Sequence, residues 1–217
     1  MTSELLFTGP ELCRFEAHEV VALLKAREIS SSDLIDAALT RIAQTGPLIN
    51  ATPTLCEAQA RAVDLSSRDS TSAGWLAGLP FTIKDLNAVA NVRTTFGTKG
   101  LAGFIPQKSD PLVDQLEQRG AVILGKTNTP ECGAGGNTFN DVFGQTRNPW
   151  NTALNPGGSS GGAAASLAAG EIWLSHGSDH GGSLRTPAAY CGIVGLRPRP
   201  GIAGGPGQDA ALLIAGV

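Results

Sequence analysis

Half of this chain's glycines crowd into one stretch: 14 of the 28 fall between Gly157 and Gly207. The overall glycine share is nearly twice the usual value of roughly 7%. Glycine concentrated in this way marks backbone that must take positive φ or be approached closely, not general flexibility. Any fold for the chain must therefore close another element, a ligand or a turn onto that segment. The rest of the composition belongs to a folded globular chain, with 41% hydrophobic and 16% charged residues.

Elements on either side of the glycine segment alternate. Val20, Val21, Leu23 and Leu24 sit in one candidate helix. A second, capped by Ser31 or Ser32, carries Leu34, Ile35, Ala38, Leu39 and Ile42 on one apolar face. A third helix is expected over Glu57 to Arg68, then a polar linker to Gly74. Leu79 to Ile83 reads as a buried strand delivering Lys84 and Asp85 at its end. Asp110 and Pro111 open a further helix that Gly120 closes, and Ala121 to Leu124 follows as a strand. Gly161 to Gly170 reads as a small-residue helix and Ile172 to Leu174 as the next strand. Strands alternating with helices imply an α/β fold with a mixed, largely parallel central sheet covered by helices, in a single domain over 1–217.

Charge and cysteine usage exclude several functions. Sixteen basic against 19 acidic residues give a net charge of −3, which argues against a basic grip on nucleic acid. The opening residues lack the basic and apolar regions of a signal peptide, and no run of about 18 apolar residues suggests a membrane span. A cytoplasmic location is expected. Cys13, Cys56, Cys132 and Cys191 are scattered, with three histidines in the chain, so they read as isolated thiols rather than metal ligands.

Two short motifs compete for attention. Gly120 to Thr127 satisfies the phosphate-loop pattern GxxxxGK[ST], but its four middle residues are themselves a strand and Pro130 stands where the helix should begin, so Lys126 reads as a surface or inter-strand residue at a strand end. Gly157-Gly158-Ser159-Ser160-Gly161 fits the nucleophile elbow GxSxG, but His176 and His180 follow too closely for the α/β-hydrolase order of serine, acid and histidine. What remains is a pair of glycine-framed serines, Ser159 and Ser183, 24 residues apart. Successive N–H groups near Ser183 can converge on one point, as an oxyanion hole requires. A serine needs a base, and with no histidine well placed the candidate is Lys84, whose burial would leave part of it neutral.

These residues resemble the amidase signature family, serine hydrolases that cleave carboxamides with a Ser, cis-Ser, Lys triad. The resemblance runs through Gly78-Leu-Pro-Phe-Thr-Ile-Lys-Asp85, Gly125-Lys-Thr-Asn128, Phe143-Gly-Gln-Thr-Arg-Asn-Pro149, the Gly157 to Gly162 loop, Ser178 to Arg185, and Gly195-Leu-Arg-Pro198. It implies Ser183 as nucleophile, Ser159 after a cis bond as proton relay, and Lys84 as general base. The backbone N–H groups of His180, Gly181, Gly182 and Ser183 would form the oxyanion hole. Asp179 and Arg185 would pin the glycine-rich turn, while Ser160 either supports the network or caps the helix after it. His180 stands where the family often carries an apolar residue or Thr, and its backbone serves regardless. Asp85 either pairs with a positive group or orients the strand end.

The resemblance implies no cofactor and no metal and a small-molecule amide as substrate; nucleic acid and membrane are not expected as partners, and a homodimer is left open. Family members are roughly twice this length, so the chain reads as the N-terminal portion of a longer fold with its C-terminal part missing. Exposed apolar surface and low activity are then expected. The run Asp209-Ala-Ala-Leu-Leu-Ile-Ala-Gly216 resembles a helix that relatives carry further on, suggesting an internal loss between Gly201 and Asp209. Within the family, the alternative to amide hydrolysis is the glutaminase component of a tRNA-dependent amidotransferase. Gly135-Gly-Asn-Thr-Phe-Asn-Asp-Val-Phe143 looks more like the free-standing amidases. The contrasting class is an inactive remnant that keeps the signature loops.

Overall fold

The computed structural model describes residues 8–72 and 74–199 and the backbone of 210–214. In chain order the elements are α1 (Ala17–Ala26), α2 (Ser31–Ile49), β1 (Thr54–Leu55), α3 (Glu57–Arg61), β2 (Pro80–Lys84), α4 (Pro111–Gln118) and β3 (Val122–Thr127). They continue with β4 (Phe139–Asn140), β5 (Gly144–Gln145), α5 (Gly161–Ala168), β6 (Leu174–Ser178), α6 (Arg185–Cys191), β7 (Val194–Gly195) and β8 (Ala210–Ile214). Six strands form one sheet in the order β1-β3-β2-β6-β8-β7, and β4 pairs with β5 separately.

The centre of the sheet is parallel: β2 pairs in parallel with both β3 and β6. The flanking pairs, β1 with β3, β6 with β8 and β7 with β8, are antiparallel. This is the mixed α/β sheet expected. Every residue of β2 and β3 is buried, with Phe81, Ile83, Val122 and Leu124 in one core with Leu34 and Ile35 of α2 and Leu167 of α5. Parallel strands covered in this way leave only their ends for chemistry. The carboxyl ends of β2, β3 and β6 carry Lys84, Thr127 and Ser178.

Several boundaries differ from expectation for local reasons. The cap of α2 is Ser30, whose Oγ accepts from Asp33 N–H while the Asp33 carboxylate accepts from Ser30 N–H at 2.7 Å; this reciprocal box starts the helix one residue early. Helix α3 stops at Arg61 instead of Arg68. The Asp64 and Asp69 carboxylates accept the N–H groups of Ser66 and Thr71, closing turns that compete with helix. Asp110 precedes α4 but does not cap it, because its carboxylate is taken by Asn87 Nδ2 and Ala88 N–H. Strand β6 starts where the expected strand ended, since β2 offers a partner only from Phe81, opposite Leu174. Strand β3 runs three residues further, through Gly125 and Lys126, beside β2.

The expected helix near the C-terminus is instead strand β8, whose backbone completes the ladder on the side of β6 away from β2, where unpaired N–H and C=O groups would otherwise stand. The proposed loss between Gly201 and Asp209 lies outside the described residues. Exposed apolar side chains include Leu48, Phe139, Trp150, Leu154 and Tyr190. All four cysteines are free thiols.

Candidate active site

Lys84 ends β2 with its side chain fully buried. Its Nζ lies 2.7 Å from Ser159 Oγ and 3.0 Å from Ser178 Oγ. Burial drives its pKa down to about 7, against the opposing pull of Asp179. The amine is therefore substantially neutral near neutral pH and able to accept a proton.

Ser159 arrives from the glycine loop. The Gly158–Ser159 peptide bond is cis, and a side chain on Gly158 would stand 2.9 Å from Gly135 O and 3.0 Å from Asn137 N. Only glycine permits that backbone approach. Ser160, the residue preceding α5, makes no side-chain cap. Its Oγ instead donates to Ser178 O and accepts Ser178 N–H, both at 3.2 Å, and its own N–H donates to Ser183 O at 3.1 Å. Of its two expected roles, the structure supports the network one: Ser160 ties the cis loop, the end of β6 and the Ser183 turn together.

Ser183 is half-buried and held through its backbone. Among the described residues no hydrogen bond joins its hydroxyl to Ser159, whereas Lys84 Nζ does reach Ser159 Oγ. Catalytic hydrogen bonds often tighten only when substrate is present.

Asp179 organises the turn before α6. Its buried carboxylate accepts the N–H groups of Gly182 at 2.7 Å, Leu184 at 3.1 Å and Arg185 at 3.3 Å. Arg185 adds Nε at 2.9 Å and Nη2 at 3.0 Å, and Arg197 Nε donates to the Asp179 carbonyl. Burial would raise the pKa of this carboxyl, but these donors hold it well below the usual carboxylate range. Gly182 takes φ of +109° to make the turn. Of the four expected oxyanion donors, Gly182 N–H is thus already committed to Asp179. His180 is exposed. His176 is fully buried and kept neutral, its pKa pushed down to about 3 by burial and by Lys84 and Lys126, and neither ring nitrogen has a partner among the described residues.

Two partners were not identified from sequence. Ser178, second neighbour of the Lys84 amine, occupies the end of a strand parallel to β2, a placement that only the register supplies. The other is Lys126, buried in β3 with its Nζ 3.1 Å from Asp85 Oδ1. The phosphate-loop string around it is a turn and a strand, and a side chain at Gly125 would stand 2.6 Å from Thr54 O, so no phosphate cradle exists there. Among the described residues no group of three or more His, Cys, Asp or Glu could hold a metal ion. No described helix is long and apolar enough to cross a membrane.

A buried amine on a serine after a cis bond and a glycine-rich turn built on an aspartate thus meet at the carboxyl ends of the parallel strands. The Amidase family model matches residues 33–204, and the chain belongs to the amidase family. It is 45% identical over 182 residues to the A component of the glutamyl-tRNA(Gln) amidotransferase of Synechococcus sp., a match covering 82% of this chain and 37% of that protein. The corresponding protein of Carboxydothermus hydrogenoformans is 45% identical over 195 residues, covering 88% and 40%. Among solved structures, 6-aminohexanoate cyclic dimer hydrolase superimposes with a TM-score of 0.84 at 33% identity, covering 94% of this chain and 44% of that one. A bacterial aryl acylamidase of the amidase signature family gives 0.81 at 33% identity, covering 92% and 44%. The chain thus spans well under half the length of these relatives.

Proposed function

We propose that the chain carries the acyl-transfer centre of a carboxamide hydrolase. Ser183 Oγ adds to the amide carbon while its proton passes to Ser159 Oγ and that of Ser159 passes to neutral Lys84 Nζ. The tetrahedral oxyanion is received by backbone N–H groups of the His180 to Ser183 turn, with Gly181 and Ser183 as principal donors because Gly182 serves Asp179. The C–N bond then breaks as the proton returns through Ser159 to the leaving nitrogen. Water attacks the Ser183 ester by the same relay and releases the carboxylate.

The observation that carries this reading is the 2.7 Å contact between the buried Lys84 amine and Ser159 Oγ, made by an amine whose pKa lies near 7. A fluorophosphonate probe tests it: Ser183 should become covalently labelled, and labelling should disappear in Ser183→Ala and Lys84→Ala. Folded wild-type protein that does not label would identify an inactive remnant. A second reading follows from the names of the relatives at 45% identity: the same centre releases ammonia from glutamine within an amidotransferase. Glutamine hydrolysis that requires partner proteins, with no turnover of simple carboxamides, would select it.

A further inference from the structure

Lys84 Nζ has two hydrogen-bond partners among the described residues, Ser159 Oγ at 2.7 Å and Ser178 Oγ at 3.0 Å. A neutral amine carries two hydrogens and one lone pair on its nitrogen, and it is a base only toward the hydroxyl whose hydrogen meets that lone pair. With two hydroxyls on one nitrogen, only one arrangement lets Ser159 hand over its proton: Ser159 donates to the lone pair and Ser178 accepts an amine N–H. The two lengths fit this division, since hydroxyl donors typically stand at about 2.7–2.8 Å from their acceptors and N–H donors at about 2.9–3.0 Å. The place of Ser178 is fixed independently of Lys84. Its N–H donates to Ser160 Oγ and its carbonyl accepts from the same hydroxyl, each at 3.2 Å. Ser160 directly follows Ser159, so this reciprocal pair ties the end of β6 to the cis loop. Gly177 leaves room for it, because a side chain there would stand 2.8 Å from Ser160 Oγ.

We propose that Ser178 is a positioning residue for the base: its hydroxyl accepts a Lys84 N–H and thereby turns the lone pair of the amine toward Ser159. The proposal rests on the reading of Lys84 as the base. Ser178 itself exchanges no proton with Ser159, Ser183 or substrate. The titratable groups around the amine are engaged elsewhere. Asp179, next to Ser178, acts on Lys84 by its charge, but its carboxylate is committed to Arg185 and the turn. His176 on β6 is held neutral, and Lys126 on β3 is bound to Asp85, Asn87 and Thr94. Helix α5, packed on the same strands, contains no charged residue.

The test compares Ser178→Val with Ser178→Thr, two side chains of one shape that differ in the hydroxyl. The Lys84 Cε shift in 13C-lysine-labelled protein gives the midpoint of the amine, and the pH profile of Ser183 labelling by a fluorophosphonate gives the plateau rate above that midpoint. Ser178→Val removes an acceptor that the ammonium needs more than the amine does, so the midpoint should fall by on the order of one pH unit. A base weakened by that much loses at most about tenfold in rate, whereas a lone pair left unaimed should slow the plateau by on the order of 10²-fold. Ser178→Thr should keep both values near those of the wild type. An unchanged midpoint, a plateau that falls tenfold or less, or a loss that Ser178→Thr shares would overturn the proposal. So would a faster plateau, which would show the hydroxyl competing for the lone pair. If Ser178→Val does not fold, Ser178→Ala is read by the same criteria. Wild-type protein that labels no faster than Ser178→Val overturns this role alone, whereas folded wild type that never labels overturns the hydrolase reading and this role together.

Discussion

Two lysines on adjacent parallel strands, Lys84 of β2 and Lys126 of β3, are both fully buried, yet the fold uses them in opposite ways. Burial pushes the pKa of each amine down. Lys126 meets a carboxylate and two further acceptors at hydrogen-bond distance, which sustain an ammonium. Lys84 meets two hydroxyls, while the carboxylate acting on it, Asp179, is occupied by Arg185 and three backbone amides. Burial alone thus does not determine the state of a buried lysine; the partners do. One lysine is held among acceptors that suit a cation, and its neighbour is left with hydroxyls alone at hydrogen-bond distance.

The strongest way to break this contrast is to remove each amine. Lys84→Met should slow fluorophosphonate labelling of Ser183 by about 10²–10⁴-fold, the usual contribution of a general base. It should leave thermal stability equal or higher, because the amine it removes has no carboxylate within hydrogen-bond distance. In the unmodified protein, labelling should rise with pH through about 7 as Lys84 loses its proton. Lys126→Met should instead lower stability by about 3–5 kcal/mol in denaturant unfolding, since it strands a buried carboxylate. Equal destabilisation by both substitutions would refute the contrast.

Asp179→Asn sharpens the contrast by acting on the turn. It removes charge from a carboxylate satisfied by five donors, and the melting curve should report a loss of roughly 2–3 kcal/mol.

A third buried ionisable group extends the same logic to an acid. Glu171 is raised to about 7 by burial, against the hydrogen bonds of Thr45 and Thr52. Thr45 Oγ1 lies 2.5 Å from Glu171 Oε1 and 2.9 Å from Arg41 O, and one hydroxyl hydrogen cannot serve both oxygens. A protonated Glu171 that donates to Thr45 resolves the conflict. The folded pKa lies above the unfolded one, so this group's stabilisation is complete below about pH 4.5 and is lost as pH rises through 7. Glu171→Gln should flatten that decline, seen as a smaller fall in unfolding free energy between pH 5 and 8, by up to roughly 2–3 kcal/mol. An unchanged slope would place the ionisation elsewhere. The smallest effect expected is that of Ser160→Ala, about 1–2 kcal/mol from the lost bonds to the end of β6.

Much of this arrangement was legible in the residues alone. The string Leu79 to Asp85 announced a buried strand ending in a lysine, and the two glycine-framed serines marked where backbone had to approach closely. Boundaries were less legible where one side chain redirects the chain, as Asp64 does when it closes a turn and ends α3 early. Asp110 looked like a helix cap and is a tether for Asn87 and Ala88, because a carboxylate takes the donors that tertiary folding brings to it. Ser178 and Lys126 were missed as neighbours of the site because their roles depend on strand register.

The sequence by itself determined which groups are available: a lysine at the end of an apolar strand and serines framed by glycines, with the bracing aspartate and arginine known only through the family resemblance. Local chemistry suffices for that, since strand propensity and glycine's freedom are written in adjacent residues. Only the tertiary structure decided which lysine is charged and which aspartate is already satisfied. Those states depend on burial and on donors brought from distant segments, and neither exists until β2, β3 and β6 lie side by side.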